Sequence, residues 1–323
     1  MFSVLIIGCG NIAGGFDANR PESEFPFTHA GAYTRHGGFT LLGCVEPDES
    51  KRNAFMHRWS VARGYASVEE ALASGLKVDV VSVCSPTGQH YHDVLHALEM
   101  KPRLIFCEKP VTPSATETED LLARCAAAGV LLAVNYTRRW DAVLVQKARE
   151  LQAGKWGVIR AVSAVYNKGV LNNGSHMIDL LQLVFGPLTL EHVGRQVPDA
   201  WVDDPSVPCV LSGPAGLPIQ INCAHAADYS LFQLQVVTEH GVLTMEDGGL
   251  NWHIRPVVSS GNFAGYKTLA EGERENGGLQ QATFNAIVEL HSALLHGSGL
   301  SSSGDNALAS QLLCEKIHRL SKI

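Results

Sequence analysis

Two cysteines spaced as Cys-x-x-Cys occur nowhere in this chain, although it holds eight cysteines. That absence excludes zinc ribbons and thioredoxin-type redox pairs, whose thiols must share one turn. Several cysteines lie inside apolar runs, as in Val83-Cys84 and Phe106-Cys107, and read as buried reduced thiols of a cytoplasmic protein. No apolar stretch approaches the roughly 20 residues of a membrane-spanning helix, and the apolar run at the start is shorter than a signal-sequence core. Dense Lys/Arg clusters are missing too. With a formal net charge of −7, that excludes non-specific binding to nucleic acid. His90, His92 and His96 stand at i, i+2 and i+6, which does not present one helical face to a metal ion. They read as solvated helix histidines, and no metal site is expected. Internal repeats and low-complexity tracts are also absent. What remains is 46% hydrophobic and 18% charged, the balance of a soluble globular protein. At 323 residues it is too long for one ordinary core, so two domains are expected.

The chain is organised around its opening. The run Phe2-Ser-Val-Leu-Ile-Ile reads as a buried parallel strand and leads into Gly8-Cys-Gly10-Asn11-Ile12-Ala13. Glycines after a strand allow a tight turn and a close approach of backbone to a pyrophosphate. A helix that follows directly offers the anion its amides and the positive end of its dipole. Ala13 in the third position still permits close helix–strand packing. Residues 14–27 interrupt this pattern with Pro21 and Pro26 and read as an insertion into the first crossover. A helical pattern resumes at 28–36.

A second strand, 39–45, ends at Glu46. In dinucleotide folds an acidic residue here accepts hydrogen bonds from the adenosine ribose and repels a 2′-phosphate, which favours NAD over NADP. Lys51 and Arg52, just downstream, temper that preference. Helices are expected at 48–59 and 67–74, and a buried strand at 78–84. Its exit, Ser85-Pro86-Thr87-Gly-Gln-His90, places backbone groups at the carboxyl edge of the sheet before a helix at 90–100. A strand at 103–107 ends in Glu108-Lys109-Pro110. A helix at 114–128, stopped by Gly129, and a strand at 130–135 complete a doubly wound parallel sheet. The pattern then changes. Expected are a helix at 141–153, strands at 157–166, 218–226, 231–238 and 241–246, and helices near 175–185, 281–296 and 305–321. This reads as α+β with an open, largely antiparallel sheet. The domain reading is 1–137 for the dinucleotide-binding part and 138–323 for substrate binding and oligomerisation.

In this order and spacing, Gly8-x-Gly10-x-x-Ala13, Ser85-Pro86-Thr87-x-x-His90, Glu108-Lys109-Pro110 and Asn172-Asn-Gly-Ser175-His176-Met-Ile-Asp179 resemble the Gfo/Idh/MocA oxidoreductases, relatives of glucose–fructose oxidoreductase and inositol dehydrogenase. Asn135-x-x-Arg138-Arg139-Trp140 resembles that family's stretch after the sixth strand. The resemblance spans nearly the whole chain. It implies a Rossmann domain followed by an α+β domain, NAD(P) as cofactor, a sugar or cyclitol substrate, and a homodimer or homotetramer. It implies a cofactor set of Gly8, Gly10, Asn11, Ile12, Glu46, Ser85, Pro86, Thr87, His90, Glu108 and Lys109. Lys109 is implied to contact both the nicotinamide ribose side and the reacting hydroxyl, and His176 to be the general acid/base.

Physical chemistry agrees with those roles. A strand-end ammonium donates hydrogen bonds to a substrate oxygen and stabilises a developing alkoxide. With Ser175 as N-cap, His176 falls in a first helical turn, where the dipole favours the neutral imidazole that accepts a proton. The family usually has Asp where this chain has Asn172, which orients a hydroxyl but cannot share a proton as a carboxylate does. Arg138, Arg139, Trp140 and Tyr166 suit a sugar carrying an anionic group. The expected function is hydride transfer between nicotinamide and a hydroxyl or keto carbon. Two alternatives stay open: a cofactor-binding regulator without turnover, and a glycosidase that uses NAD as oxidant and then reductant.

Overall fold

The computed structural model describes residues 1–21 and 23–322. Contacts divide the chain into two compact units: Met1–Trp140 with Gln280–Ala309, and Asp141–Leu279 with Ser310 onward.

The first unit is built on six parallel strands: β1 (Phe2–Ile7), β2 (Phe39–Val45), β3 (Arg63–Tyr65), β4 (Val80–Val83), β5 (Leu104–Cys107) and β6 (Leu131–Val134). They lie in the order β3-β2-β1-β4-β5-β6. Every residue of β4 and β5 is buried, which is why these strands read as unbroken apolar runs. The three-residue β3 is too short to leave a periodic signal, and sequence reasoning missed it. The crossovers are α1 (His29–His36), α2 (Glu49–Trp59), α3 (Val68–Ala73), α4 (Thr87–Glu99) and α5 (Ala115–Ala128). Side chains of Thr28, Asp48, Ser67 and Ser114 accept the amides of Gly31, Lys51, Glu70 and Glu117, satisfying helix-start donors. Strand order reverses between β1 and β4, so the loops after these two strands open the crevice where α/β sheets bind ligands.

The insertion is spliced into the first crossover. Residues 11–13 begin a helical turn, and the chain departs there and returns at His29. The amides of His29 and Ala30 then donate to the carbonyls of Ile12 and Ala13, at 3.2 and 2.8 Å. The helix expected directly after the glycines is therefore only this turn and a 3-10 turn at Gly15–Asp17, and α1 proper starts after the excursion. Asp17 closes it. Its carboxylate, 4% exposed, accepts from the amides of Phe27 and Thr28 and from the Thr28 hydroxyl. Asp17→Ala leaves three donors without this acceptor, the two of Thr28 being buried. The expected cost is about 3 kcal/mol, read as a lower denaturant midpoint.

The second unit carries a nine-stranded sheet, with α6 (Ala142–Gln152) preceding β7 (Ile159–Tyr166) and α7 (Gly174–Phe185) following it. The remaining strands are β8 (Thr189–Val193), β9 (Cys209–Gly213), β10 (Leu217–Cys223), β11 (Phe232–Thr238), β12 (Gly241–Glu246), β13 (Asn251–Ser259), β14 (Lys267–Leu269) and β15 (Glu273–Asn276). They are ordered β14-β13-β12-β11-β7-β10-β9-β8, with β15 also on β13. All pairings are antiparallel except β10 with β7. Val162, Ala164, Ile219, Leu234 and Leu243 share one core with Leu144 and Leu181. Sequence reasoning missed β8, β9, β13, β14 and β15, because they are short, polar or broken by Pro256; β15 is exposed throughout. The last helices are α8 (Leu279–His296) and α9 (Gly304–Leu320). Among the described residues no helix is long and apolar enough to cross a membrane.

Candidate active site

At the carboxyl ends of β1, β2 and β4 the first unit holds a cleft of about 1120 Å³. Gly8, Gly10, Asn11, Ile12, Glu46, Ser85 and Pro86 line it; Thr87, His90, Glu108 and Lys109 do not. Gly8 has φ +86°, and a Cβ there would lie 2.6 Å from Ser85 N and 2.8 Å from the Cys84 carbonyl. The β1 and β4 exits approach so closely that only glycine fits. At Gly10 a Cβ would meet nothing within 4 Å, so that turn faces open space. Ala13 is fully buried. A close turn against β4 beside an open backbone face fits a dinucleotide pyrophosphate.

Glu46 is fixed at the end of β2. One carboxylate oxygen accepts from the Cys9 amide at 3.0 Å, the other from the Asp48 amide at 3.2 Å. The Arg52 guanidinium is committed to the Glu46 backbone carbonyl at 2.6 Å, whereas Lys51 lines the cleft. On the opposite wall, Ser85 donates its hydroxyl to Asp93 at 2.5 Å, and His96 lies 3.4 Å from Glu69. Burial pushes the Asp93 carboxyl above its usual range, against the Ser85 bond.

His90 corrects the solvated reading. The helix starts at Thr87 and not at 90, so His90 falls one turn in and is 1% exposed. Its Nε2 meets the Ser85 carbonyl at 2.8 Å and its Nδ1 the Pro110 carbonyl at 3.0 Å. The ring ties the β4 exit to the Glu108-Lys109-Pro110 turn. His92 is exposed and His96 half-exposed, and both line the cleft. Among the described residues no group of three or more His, Cys, Asp or Glu is placed to hold a metal.

Glu108 follows β5 and donates its amide to the Val83 carbonyl at 2.9 Å. Its carboxylate accepts from Asn135 Nδ2 at 2.7 Å, His29 Nε2 at 3.0 Å and the Lys109 amide at 3.3 Å. Burial opposes the charged form of Glu108. The bond and attraction of His29, the Asn135 bond and the Lys109 ammonium outweigh it and hold the carboxyl below its usual range. Sequence reasoning missed His29. The signal available was His29-x-x-x-Tyr33, one helical turn apart on one face.

Arg138, Arg139 and Trp140 form a 3-10 turn, Thr137–Trp140. Trp140 is 5% exposed and donates its indole N–H to Glu289 at 2.9 Å; Arg139 donates to the Ser301 carbonyl at 3.3 Å; Arg138 is half-buried.

Tyr166, Asn172 and His176 belong to the second unit. Tyr166 is 2% exposed, and its hydroxyl both donates to the Val207 carbonyl and accepts the Val207 amide. Asn172 lies in a wide π turn, Gly169–Asn173, that runs straight into α7. Ser175 is therefore not the N-cap. It lies inside the first turn and donates to the Asn172 carbonyl at 2.7 Å. The helical backbone begins at 169, and the amides at this end are already taken. Asp204 accepts from Leu171 and Asn172 at 2.8 and 2.9 Å, and Ser206 Oγ accepts from Gly169 at 3.0 Å. A carboxylate thus sits on the positive end, and the dipole argument for a neutral His176 loses its force. Asp204 left no mark in the sequence, because it arrives from 32 residues further along the chain.

Residues 2–136 match the family model for the Gfo/Idh/MocA oxidoreductase family, NAD-binding Rossmann fold. The chain is thus similar to the Gfo/Idh/MocA family over its first 136 residues. The trans-1,2-dihydrobenzene-1,2-diol dehydrogenase of Bos taurus is 27% identical over 210 residues, 59% of this chain and 61% of that enzyme. The D-glucoside 3-dehydrogenase of Escherichia coli is 27% identical over 205 residues, 57% of this chain and 54% of that one. These matches span less than two thirds of the relatives' own length. An oxidoreductase from Agrobacterium radiobacter, solved with NAD+, L-tartaric acid and magnesium, superposes with a TM-score of 0.77 over 99% of this chain and 96% of its own, at 15% identity. That superposition shows a shared fold, which extends through both units.

Proposed function

We propose that this protein is an NAD(H)-dependent oxidoreductase acting on a hydroxyl or keto carbon of a sugar or cyclitol derivative. The observation that carries the proposal is the Gly8 turn packed on the β4 exit beside the fixed carboxylate of Glu46, in a chain similar to this family. Bound NAD supplies the hydride acceptor. Lys109 donates to the substrate oxygen and stabilises its developing charge, Asn172 orients the substrate, and His176 accepts the hydroxyl proton. Arg138, half-buried, recognises an anionic substituent, whereas Arg139, Trp140 and Tyr166 are buried and serve the packing of their own units. The named activities of the diol and glucoside dehydrogenases support a vicinal diol within a ring as the substrate class.

The choice of NAD rests on Glu46 and on Arg52, whose guanidinium is engaged with backbone rather than offered to a 2′-phosphate. Glu46→Ala is expected to weaken NAD+ binding about tenfold and to tighten NADP+ binding, as titration calorimetry of both cofactors would record.

The test is reduced-nicotinamide absorbance with NAD+ across sugars, cyclitols and cyclic trans-diols. Turnover supports the enzyme. Asn172 in place of the family's Asp favours a second reading, a cofactor-binding regulator. NAD+ binding with no turnover on any compound selects that reading and overturns the first.

A further inference from the structure

Behind the proposed catalytic lysine lies a buried chain of polar groups that the motifs do not include. His29 is fully buried, and its ring stacks on Phe106 with centroids 4.4 Å apart. Nε2 lies 3.0 Å from the Glu108 carboxylate and Nδ1 3.3 Å from Ser82 Oγ. Ser82 Oγ is in turn 2.8 Å from the hydroxyl of Tyr33, also fully buried.

The donors can be assigned from the ends inward. A carboxylate only accepts, so Nε2–H donates to Glu108. In the neutral ring Nδ1 then accepts from the Ser82 hydroxyl, and Ser82 accepts from Tyr33. Burial pushes the Tyr33 phenol up, against the Ser82 bond, so it stays a donor. With the ring neutral, every hydrogen bond in the row has one direction. Asn135 Nδ2 binds the same Glu108 oxygen at 2.7 Å, which leaves the carboxylate one orientation. The other titratable groups beside Glu108 are the Cys84 and Cys107 thiols, both pushed up by burial and neutral. Glu108 is thus the anion next to the Lys109 ammonium, and its carboxylate is 14% exposed.

We propose that His29 is a positioning residue of this site: locked by Ser82 and Tyr33, its imidazole holds the Glu108 carboxylate in place as the fixed counter-charge of Lys109. The inference rests on Lys109 being the proposed catalytic lysine. Removing His29 frees the carboxylate, and the ammonium loses a held anion.

The test reads Lys109 directly. Reductive 13C-dimethylation of the full chain and NMR titration report the midpoint of each lysine, with Lys109→Arg assigning the signal. His29→Leu is expected to lower the Lys109 midpoint by about half a pH unit or more, leaving other lysines unmoved. His29→Gln, whose amide can still donate to Glu108, is expected to restore most of it, and Ser82→Ala to give a smaller shift of the same sign. Should His29→Leu fail to fold, Ser82→Ala and Glu108→Gln carry the test, each expected to lower the midpoint. An unmoved Lys109 midpoint in the folded variants overturns the inference. Turnover undiminished in Lys109→Ala overturns the catalytic role of Lys109 instead, so the two failures are distinct.

Discussion

Lys109→Ala is expected to lower kcat/KM for the best substrate by about 10³-fold, and His176→Ala by about 10²- to 10⁴-fold. An ammonium donor to a developing alkoxide acts most strongly in the transition state, so the lysine loss belongs in kcat rather than KM. His176 is the proposed proton acceptor, so its loss too belongs in kcat. If the two side chains serve one carbinol, the double variant should fall little below the worse single one, because groups that work as a unit are not additive. NAD+ affinity by calorimetry should change less than about threefold in each, since neither side chain lines the cleft that holds the glycine turn. Steady-state kinetics with the substrate identified from the panel checks the two single variants and the double variant. A loss below tenfold in either single variant removes that residue from the mechanism.

Gly8→Ala is expected to be severe in a different way. The residue has φ +86°, where an alanine is strained by about 1 kcal/mol or more. Its Cβ would meet Ser85 N and the Cys84 carbonyl at 2.6 to 2.8 Å, all backbone atoms at the exit of β4. No side chain can swing aside, so β1 and β4 must separate at their exits. Overpacking of this kind costs about 1–3 kcal/mol more, and the sum approaches 3–4 kcal/mol. The cleft opens at the same point, so NAD+ binding should fall more than about 100-fold. Gly10→Ala is the control. Its Cβ meets nothing within 4 Å, so the fold should keep its denaturation midpoint while cofactor affinity drops. Equal stability losses in the two variants would refute the distinction drawn between a packing glycine and a ligand-facing one.

Much of the first unit was legible along the chain. The apolar runs at β1, β2, β4, β5 and β6, Gly129 ending α5 and the excursion at 14–27 all carry local signals: period, glycine, proline and polar caps. Glu46 was expected at the end of the second strand, and the structure holds its carboxylate there on the Cys9 and Asp48 amides. What was not legible depends on partners far away in sequence. His90 gave the pattern of a surface histidine until Ser85 and Pro110 closed over both of its nitrogens. Ser175 looked like a cap until the π turn before it extended the helix backwards. The edge strands of the second sheet, short and polar, had no periodicity of their own.

The amino-acid sequence alone determined the alternation of strand and helix, the glycine turn and the motifs that resemble the Gfo/Idh/MocA family, because each is written in neighbouring residues. Tertiary structure alone decided that 280–309 packs with the first unit, that Asp204 occupies the start of the helical segment bearing His176, and that His29 grips Glu108 across 79 residues. Such contacts leave no local trace, since a side chain's partner is chosen by where the backbone brings it and not by what stands beside it in the chain.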